Sequence, residues 1–275
     1  MLTNRVNTNQ SGIIMLHFSD ANAKTVNLSK VSGLAPYLTG GRKVYSLDLS
    51  SGVTCPGAKN CHSWVKVNPQ TGKATIKDGP ACRFRCFSAS QEVLYPALRA
   101  CRANNTRQIK SAKYAGRIAR LILASIPPKA GVVRLHVGGD FFSIGYMSAI
   151  IAVAAARPDV LFYFYTKSLP YLQRVVQDVP SADLSRGVIL PNLLVTASRG
   201  GKYDNLIDIL QLREARVVYS EAEASELGLT IDHDDSHAAL AGGDFALLIH
   251  GTQPAGSNAG KALAKLRGKG TYSRK

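Results

Sequence analysis

From residue 132 onward, short apolar runs alternate with helix-length segments, and nothing else in the chain restricts its fold as much. The runs VVRLHVG (132–138), LFYFYT (161–166), LLVTA (193–197), 216–219 and FALLIH (245–250) read as strands. The segments 144–156, 169–179, 203–212, from 221, and 257–266 read as helices. An earlier alternating run, KVYSLDLS (43–50), supplies a first strand. Alternation of this kind means a parallel sheet, because parallel neighbours need a crossover segment that covers the sheet. The pattern predicts an α/β fold of about six βα units, either an open wound sheet or a partial (β/α)6 barrel. Residues 1–42 read as an irregular lead-in and 43–275 as one α/β domain.

Four of the five cysteines fall in one window after the first strand: Cys55, Cys61, Cys82 and Cys86. Cys101 follows within a helical stretch and reads as a small buried hydrophobe. Thiols crowd in this way when they converge on a metal or an iron–sulfur cluster. Residues 64–67 and 73–77 look like a hairpin around the turn 68–72, which would return Cys82 to Cys61. The window 52–90 is thus expected to be a cysteine-bearing hairpin insertion. The spacings C-x5-C and C-x3-C differ from the C-x2-C pairs of zinc ribbons, and soft thiolates suit zinc and iron alike. A [4Fe-4S] cluster is the first expectation and zinc the alternative. After Cys86, Ser88 to Gln91 has the form of a capping box, and a long helix is expected to about residue 126, interrupted at Pro96 and stopped by Pro127-Pro128.

In parallel α/β folds ligands bind at the carboxyl ends of the strands. Here those ends are polar: His136, Gly138, Gly139 and Asp140 on one, Tyr163, Tyr165 and Lys167 on the next, Ser198 and then His250 on others. Strand alternation puts His136 with Asp140, and Tyr163 with Tyr165 and Lys167. The plainer readings are a core histidine, a glycine turn and packed tyrosines. The run Asp232 to His237 resembles a hard-metal cluster but reads as a solvated loop. The segment 22–24 carries no mechanism that the sequence reveals.

The charge balance is strongly positive: 34 Lys plus Arg against 18 Asp plus Glu, a net charge of +16. Such an excess favours polyanionic partners, chiefly nucleic acid or a nucleotide. The positives are spread out, with a dense patch at 260–275 that reads as a basic tail. The longest apolar run, 149–156, is far below a membrane span, so no membrane partner is expected. The polar start and the odd cysteine count argue against a secreted disulfide scaffold and for a cytoplasmic protein.

A cysteine cluster after strand one, a helix, and a Gly-Gly-acid end on strand two resemble the radical S-adenosylmethionine superfamily. The matching residues are the cysteine window and Gly138-Gly139-Asp140. The resemblance implies a partial (β/α)6 barrel and a cluster on three cysteines, here Cys55, Cys61 and Cys86, with Cys82 a candidate fourth ligand. It also implies that Asp140 binds the amino group of S-adenosylmethionine and that Ser198 and His250 meet its ribose or adenine edge. His136, Tyr163, Tyr165 and Lys167 would then line the substrate side, with His136, Tyr165 and Lys167 as catalytic candidates. Two departures stand out: the C-x3-C of Cys82 and Cys86 lacks the third cysteine expected at Ala89, and Asp140 is one methylene shorter than the usual glutamate.

More closely, TCPGA (54–58), FRCFSA (84–89), HVGGDFF (136–142) and YTKS (165–168) resemble the bacteriophage gene product 88 family. That resemblance implies a phage origin, with the host cytoplasm or the virion as location, and brings no established activity. The expectation is an iron–sulfur protein of radical S-adenosylmethionine type acting on nucleic acid or a nucleotide. The alternatives are a non-enzymatic metal- and nucleic-acid-binding or host-takeover factor, and a virion component.

Overall fold

The computed structural model describes residues 15–266. Among the described residues there are ten strands: β1 (Phe18–Asp20), β2 (Lys43–Leu47), β3 (Ser63–Val67), β4 (Ala74–Asp78), β5 (Ala130–Leu135), β6 (Leu161–Thr166), β7 (Val188–Leu190), β8 (Leu193–Ser198), β9 (Glu214–Val218) and β10 (Phe245–Leu248). The main sheet runs β1-β2-β5-β6-β8-β9-β10, with β7 paired to β8 outside that path. All neighbours from β2 to β10 along the path are parallel. β1 and β7 are antiparallel additions. The sheet is mostly parallel and does not close into a barrel: β1 and β10 are its two edges. β3 and β4 form a separate two-stranded sheet whose chain lies between Cys61 and Cys82.

The central strands are covered on both faces, which is why every residue of β5 and nearly every residue of β6 is buried. On one face Leu47, Val133, Leu135, Phe162, Phe164 and Val195 pack against the helices Pro96–Ala112, Ala115–Ser125, Ile144–Ala156 and Leu169–Val176. The opposite face changes character along the strands. At their amino ends Val44, Val132, Leu161, Leu194 and Phe245 are plugged by Leu28 and Leu34 of the lead-in and by Ala238 and Ala239. The same face, further along the strands, presents Arg134, Tyr165, Val217 and Leu247 to a cavity. The lead-in therefore belongs to the core, and β1 extends the sheet beside β2.

The expected long helix divides into Phe87–Leu94, Pro96–Ala112 and Ala115–Ser125. Pro96 supplies the first break. Lys113, at φ 61°, supplies the second. Ile126 is extended before Pro127, as the clash with the proline ring requires. The capping box at Ser88 is not observed. The helix starts at Phe87 with Cys86 as its N-cap and no side-chain cap bond. The Ser88 hydroxyl is taken up instead by the Arg102 guanidinium (2.6 Å) and by Ser51 Oγ (2.8 Å). The expected helix 203–212 shortens to Asn205–Ile209, and β7 was not foreseen, because three apolar residues carry no periodicity. Ser257 caps the last helix, Asn258–Lys265, by accepting from Gly260 N (3.0 Å). The rest of the basic tail, 267–275, lies outside the described residues. Among the described residues no helix is long and apolar enough to cross a membrane.

A buried polar network ties the cysteine window to the helical layer. Arg102, 1% exposed, pairs with Glu92 (3.3 Å) and Asp48 (3.6 Å). Glu92 accepts from Ser51 N (2.9 Å) and Ser51 Oγ (2.7 Å), at the start of the cysteine loop. Replacing Arg102 with Met would leave two buried carboxylates without their cation. The expected loss of stability is about 3–5 kcal/mol, read by urea denaturation. A loss below about 1 kcal/mol would mean that the network does not hold this corner together.

Candidate metal and cofactor site

The glycines around the cysteine loop show why it sits where it does. A Cβ on Gly57 would lie 1.9 Å from the Lys167 carbonyl oxygen, so only glycine lets the loop touch the end of β6. Gly57 O in turn accepts from Lys202 N (2.9 Å), and Asn60 N donates to Gly200 O (2.9 Å) beyond the end of β8. On the other side Gly139, at φ +89°, packs against Leu49 and Thr54. The loop is thus fastened across three strand ends.

Beneath it lies a cavity of about 460 Å³ at the carboxyl ends of the strands. Cys55, Cys61 and Cys86 line it and Cys82 does not. The Cys82 thiol donates to Phe84 O (3.1 Å) and lies 3.6 Å from Ser63 Oγ. Burial pushes the Cys55 thiol well up, aided by the nearby charges of Asp140, Cys86 and Cys61. Burial, with Cys61 close by, pushes Cys86 up to about 12. Without a metal these two thiols are neutral, and a group taking them as thiolates must displace their protons. Among the described residues no three His, Cys, Asp or Glu side chains are grouped to hold a single metal ion. Cys101 stands apart, half-buried beside Asp48 and Arg102, with burial pushing it up to about 11.

Asp140 reaches the cavity wall from the end of β5. Its carboxylate accepts from Phe141 N (2.7 Å), Thr166 Oγ1 (2.7 Å) and Lys167 N (2.9 Å). A carboxylate offers about four acceptor positions, so one remains. Burial raises its pKa while those three donors lower it, with the net shift upward. Gly138 does not line the cavity. It is glycine because a Cβ there would meet Ser88 Oγ at 2.3 Å and the Arg102 guanidinium at 2.8 Å.

Lys167 and Ser198 both line the cavity, but they are bonded to each other. The Lys167 ammonium also donates to Ser198 O (2.8 Å) and Arg199 O (3.3 Å), so its three donors are engaged. This disposes Lys167 to join β6 to β8 rather than to transfer protons. The backbone of His136 is left-handed, at φ 70°, and the strand alternation stops there. Its ring packs on Phe141 and Tyr146 (centroids 4.7 and 5.6 Å), and Nε2 meets the Tyr146 hydroxyl at 2.8 Å. The ring is buried, as the plainer reading of a core histidine has it, and His136 also lines the cavity. His250 lines the cavity and lies over Phe87 (4.6 Å).

The run Asp232 to His237 is only partly a solvated loop: His233 and His237 are exposed. Asp232 and Asp235 are both fully buried. Asp235 takes the Lys24 ammonium (2.7 Å), the Arg134 guanidinium, and the hydroxyls of Tyr163 and Tyr165 (3.1 Å each). Burial alone would raise its pKa, but Arg134 and Lys24 outweigh it and hold the carboxyl at about 2. Tyr163 therefore lies below the cavity, while Tyr165, Lys24 and Arg134 form part of its floor. The sequence did hold one signal for this cluster: an arginine inside the apolar run VVRLHV needs a buried partner.

The model of the gene product 88 family matches residues 16–268, and the chain belongs to that family. No curated protein and no solved structure matches the chain.

Burial holds His136 at about 3 and His250 at about 4, below the ordinary histidine value. The folded protein cannot take the protons that the unfolded chain binds below about pH 6.5. Stability should therefore fall as pH drops from about 6.5 towards 4, each histidine adding up to about 1.4 kcal/mol per pH unit. Urea denaturation across that range measures the slope. His250→Asn should flatten it, and an unchanged slope would assign the acid sensitivity to other groups.

Proposed function

We propose that this member of the gene product 88 family is an iron–sulfur protein of radical S-adenosylmethionine type, acting on nucleic acid or a nucleotide. One observation carries the reading: Cys55, Cys61 and Cys86 face one cavity at the carboxyl ends of a parallel sheet, while Cys82 is hydrogen-bonded away from it. Three ligands on a four-iron cluster leave one iron for a small molecule, whereas a closed four-cysteine site would leave none. The sequence spacings C-x5-C and C-x3-C differ from the C-x2-C pairs of zinc ribbons, which supports a cluster over zinc. The unclosed sheet fits a partial (β/α)6 barrel of six βα units, with β3 and β4 as the insertion between the cysteine pairs. The net charge of +16 supports a polyanionic substrate.

The bound cluster and cofactor would supply reductive cleavage of a carbon–sulfur bond and hence radical chemistry. The chain's own residues bind and orient. The one remaining acceptor position of Asp140 suits an amino group at the cavity wall. His250, lying over Phe87, offers a flat surface to a base edge. Phe84, Val217, Leu247 and Ile249 exclude water on the far wall. Asp140→Asn does not test this cleanly. It would place an amide NH2 among three donors and cost stability as well as affinity.

Protein purified without oxygen should carry iron and acid-labile sulfide in about equal amounts and be brown. Cys55→Ala, Cys61→Ala and Cys86→Ala should each abolish iron binding. Cys82→Ser and Cys101→Ser should keep it. If Cys82→Ser loses the iron as fully as the other three, Cys82 is a fourth ligand and the enzymatic reading fails. Zinc in place of iron would overturn the cluster itself.

A further inference from the structure

The 47 residues 93–139 contain no aspartate or glutamate and nine lysines and arginines. Two of those nine, Arg102 and Arg134, are spent on buried ion pairs. Five others lie exposed on two consecutive helices: Arg107 and Lys110 on Pro96–Ala112, Lys113 at the corner, and Arg117 and Arg120 on Ala115–Ser125. The pairs sit at i and i+3, so each helix turns one basic side outward. Its opposite side, with Ile109, Ile118 and Ile122, is sunk in the core. Among the described residues none of these five makes a salt bridge. Elsewhere partly buried arginines do: Arg42 with Asp159, Arg85 with Asp78 and Arg199 with Asp208. At the corner Tyr114 is 66% exposed, with the Arg117 guanidinium 5.6 Å from its ring.

We infer that this bent basic face docks a single-stranded polynucleotide, its phosphates along Arg107, Lys110, Arg117 and Arg120 and an unpaired base on Tyr114. The argument is charge complementarity together with the aromatic. A stretch without acids repels no phosphate. Uncompensated cations bind polyanions by releasing condensed counterions. A tyrosine held in water by the backbone of a corner, and flanked by cations, has the form of a base-stacking platform. The chain continues directly from the cavity rim, where Leu94 and Tyr95 lie, into the first of these helices. A strand bound along the face could therefore reach the cavity. The inference rests on the polyanion part of the proposed function and not on its metal centre.

The test is fluorescence anisotropy of a labelled single-stranded oligonucleotide with the full-length protein, titrated with salt. The variant Lys110→Glu/Arg117→Glu/Arg120→Glu changes only exposed side chains, and its thermal midpoint and iron content should match those of the parent. Its affinity should drop by about a hundredfold at low salt, and the log–log salt slope should shrink by about 2. Tyr114→Ala should lose about tenfold on the single strand and little on a duplex. Unchanged affinity and slope in the triple variant would overturn the inference and place binding elsewhere. Equal binding to vesicles of anionic lipid, lost in the same variant, would overturn the polynucleotide as occupant. Equal loss on duplex and single strand for Tyr114→Ala would overturn the stacking contact. Protein that carries no iron when purified without oxygen, yet binds the oligonucleotide through this face, would sink the cluster reading by its missing iron and leave the docking face standing.

Discussion

The carboxylate of Asp140 is the point on which the candidate site depends. It is buried at the end of β5 and binds the backbone of Phe141, the Thr166 hydroxyl and the Lys167 amide. Its own amide donates to Thr54 Oγ1 (3.3 Å), one residue before the first cysteine. One residue therefore fixes the end of β5, the end of β6 and the cysteine loop in relation to one another. Hydrogen bonds to an ionised acceptor are about twice as strong as neutral ones, and burial makes each costly to lose. The Gly57 contact with Lys167 O completes the clamp, since no side chain could occupy the gap.

Two further buried polar centres stand on either side of that clamp. Asp48, Arg102 and Glu92 join the start of the cysteine loop to the helices that follow Cys86. Asp235, Arg134, Lys24 and the two tyrosines join the lead-in, the middle strands and the segment before β10. Neither centre gains much free energy over an apolar core of the same volume. What they do is fix position. Each joins three distant chain segments through buried charges. The cavity lies between them, with a wall on the cysteine side and a floor on the Asp235 side.

The two faces of the sheet divide the work. The helical face is mostly apolar and holds the sheet together. The other face is plugged at one end and open at the other, so a ligand site forms without weakening the core. An exposed basic side falls on the helices next to the cavity rim.

The alternation of apolar runs with helical segments determined the parallel sheet, because neither element can bury its apolar face without the other. Period-two alternation puts Tyr165 and Ser198 on the cavity side of β6 and β8, whereas Asp140 and His250 lie past the ends of β5 and β10, where alternation no longer applies. The crowding of cysteines marked the loop that would meet them. The resemblance named Cys55, Cys61 and Cys86, but no local pattern in the residues shows that these three turn into one cavity. That choice rests on Cys82 finding Phe84 O and Ser63, contacts set by the β3–β4 hairpin. The orientation of His136 was also hidden, because a positive φ at a non-glycine residue leaves no trace in periodicity. Asp232 and Asp235 read as solvated because a charge run usually faces water. Only the fold brings Lys24 and Arg134, from segments more than a hundred residues away, to neutralise Asp235 in the interior. Local sequence thus decided the elements and their faces, while the partners of buried charge were decided by tertiary structure, since no local pattern records a pairing between distant segments.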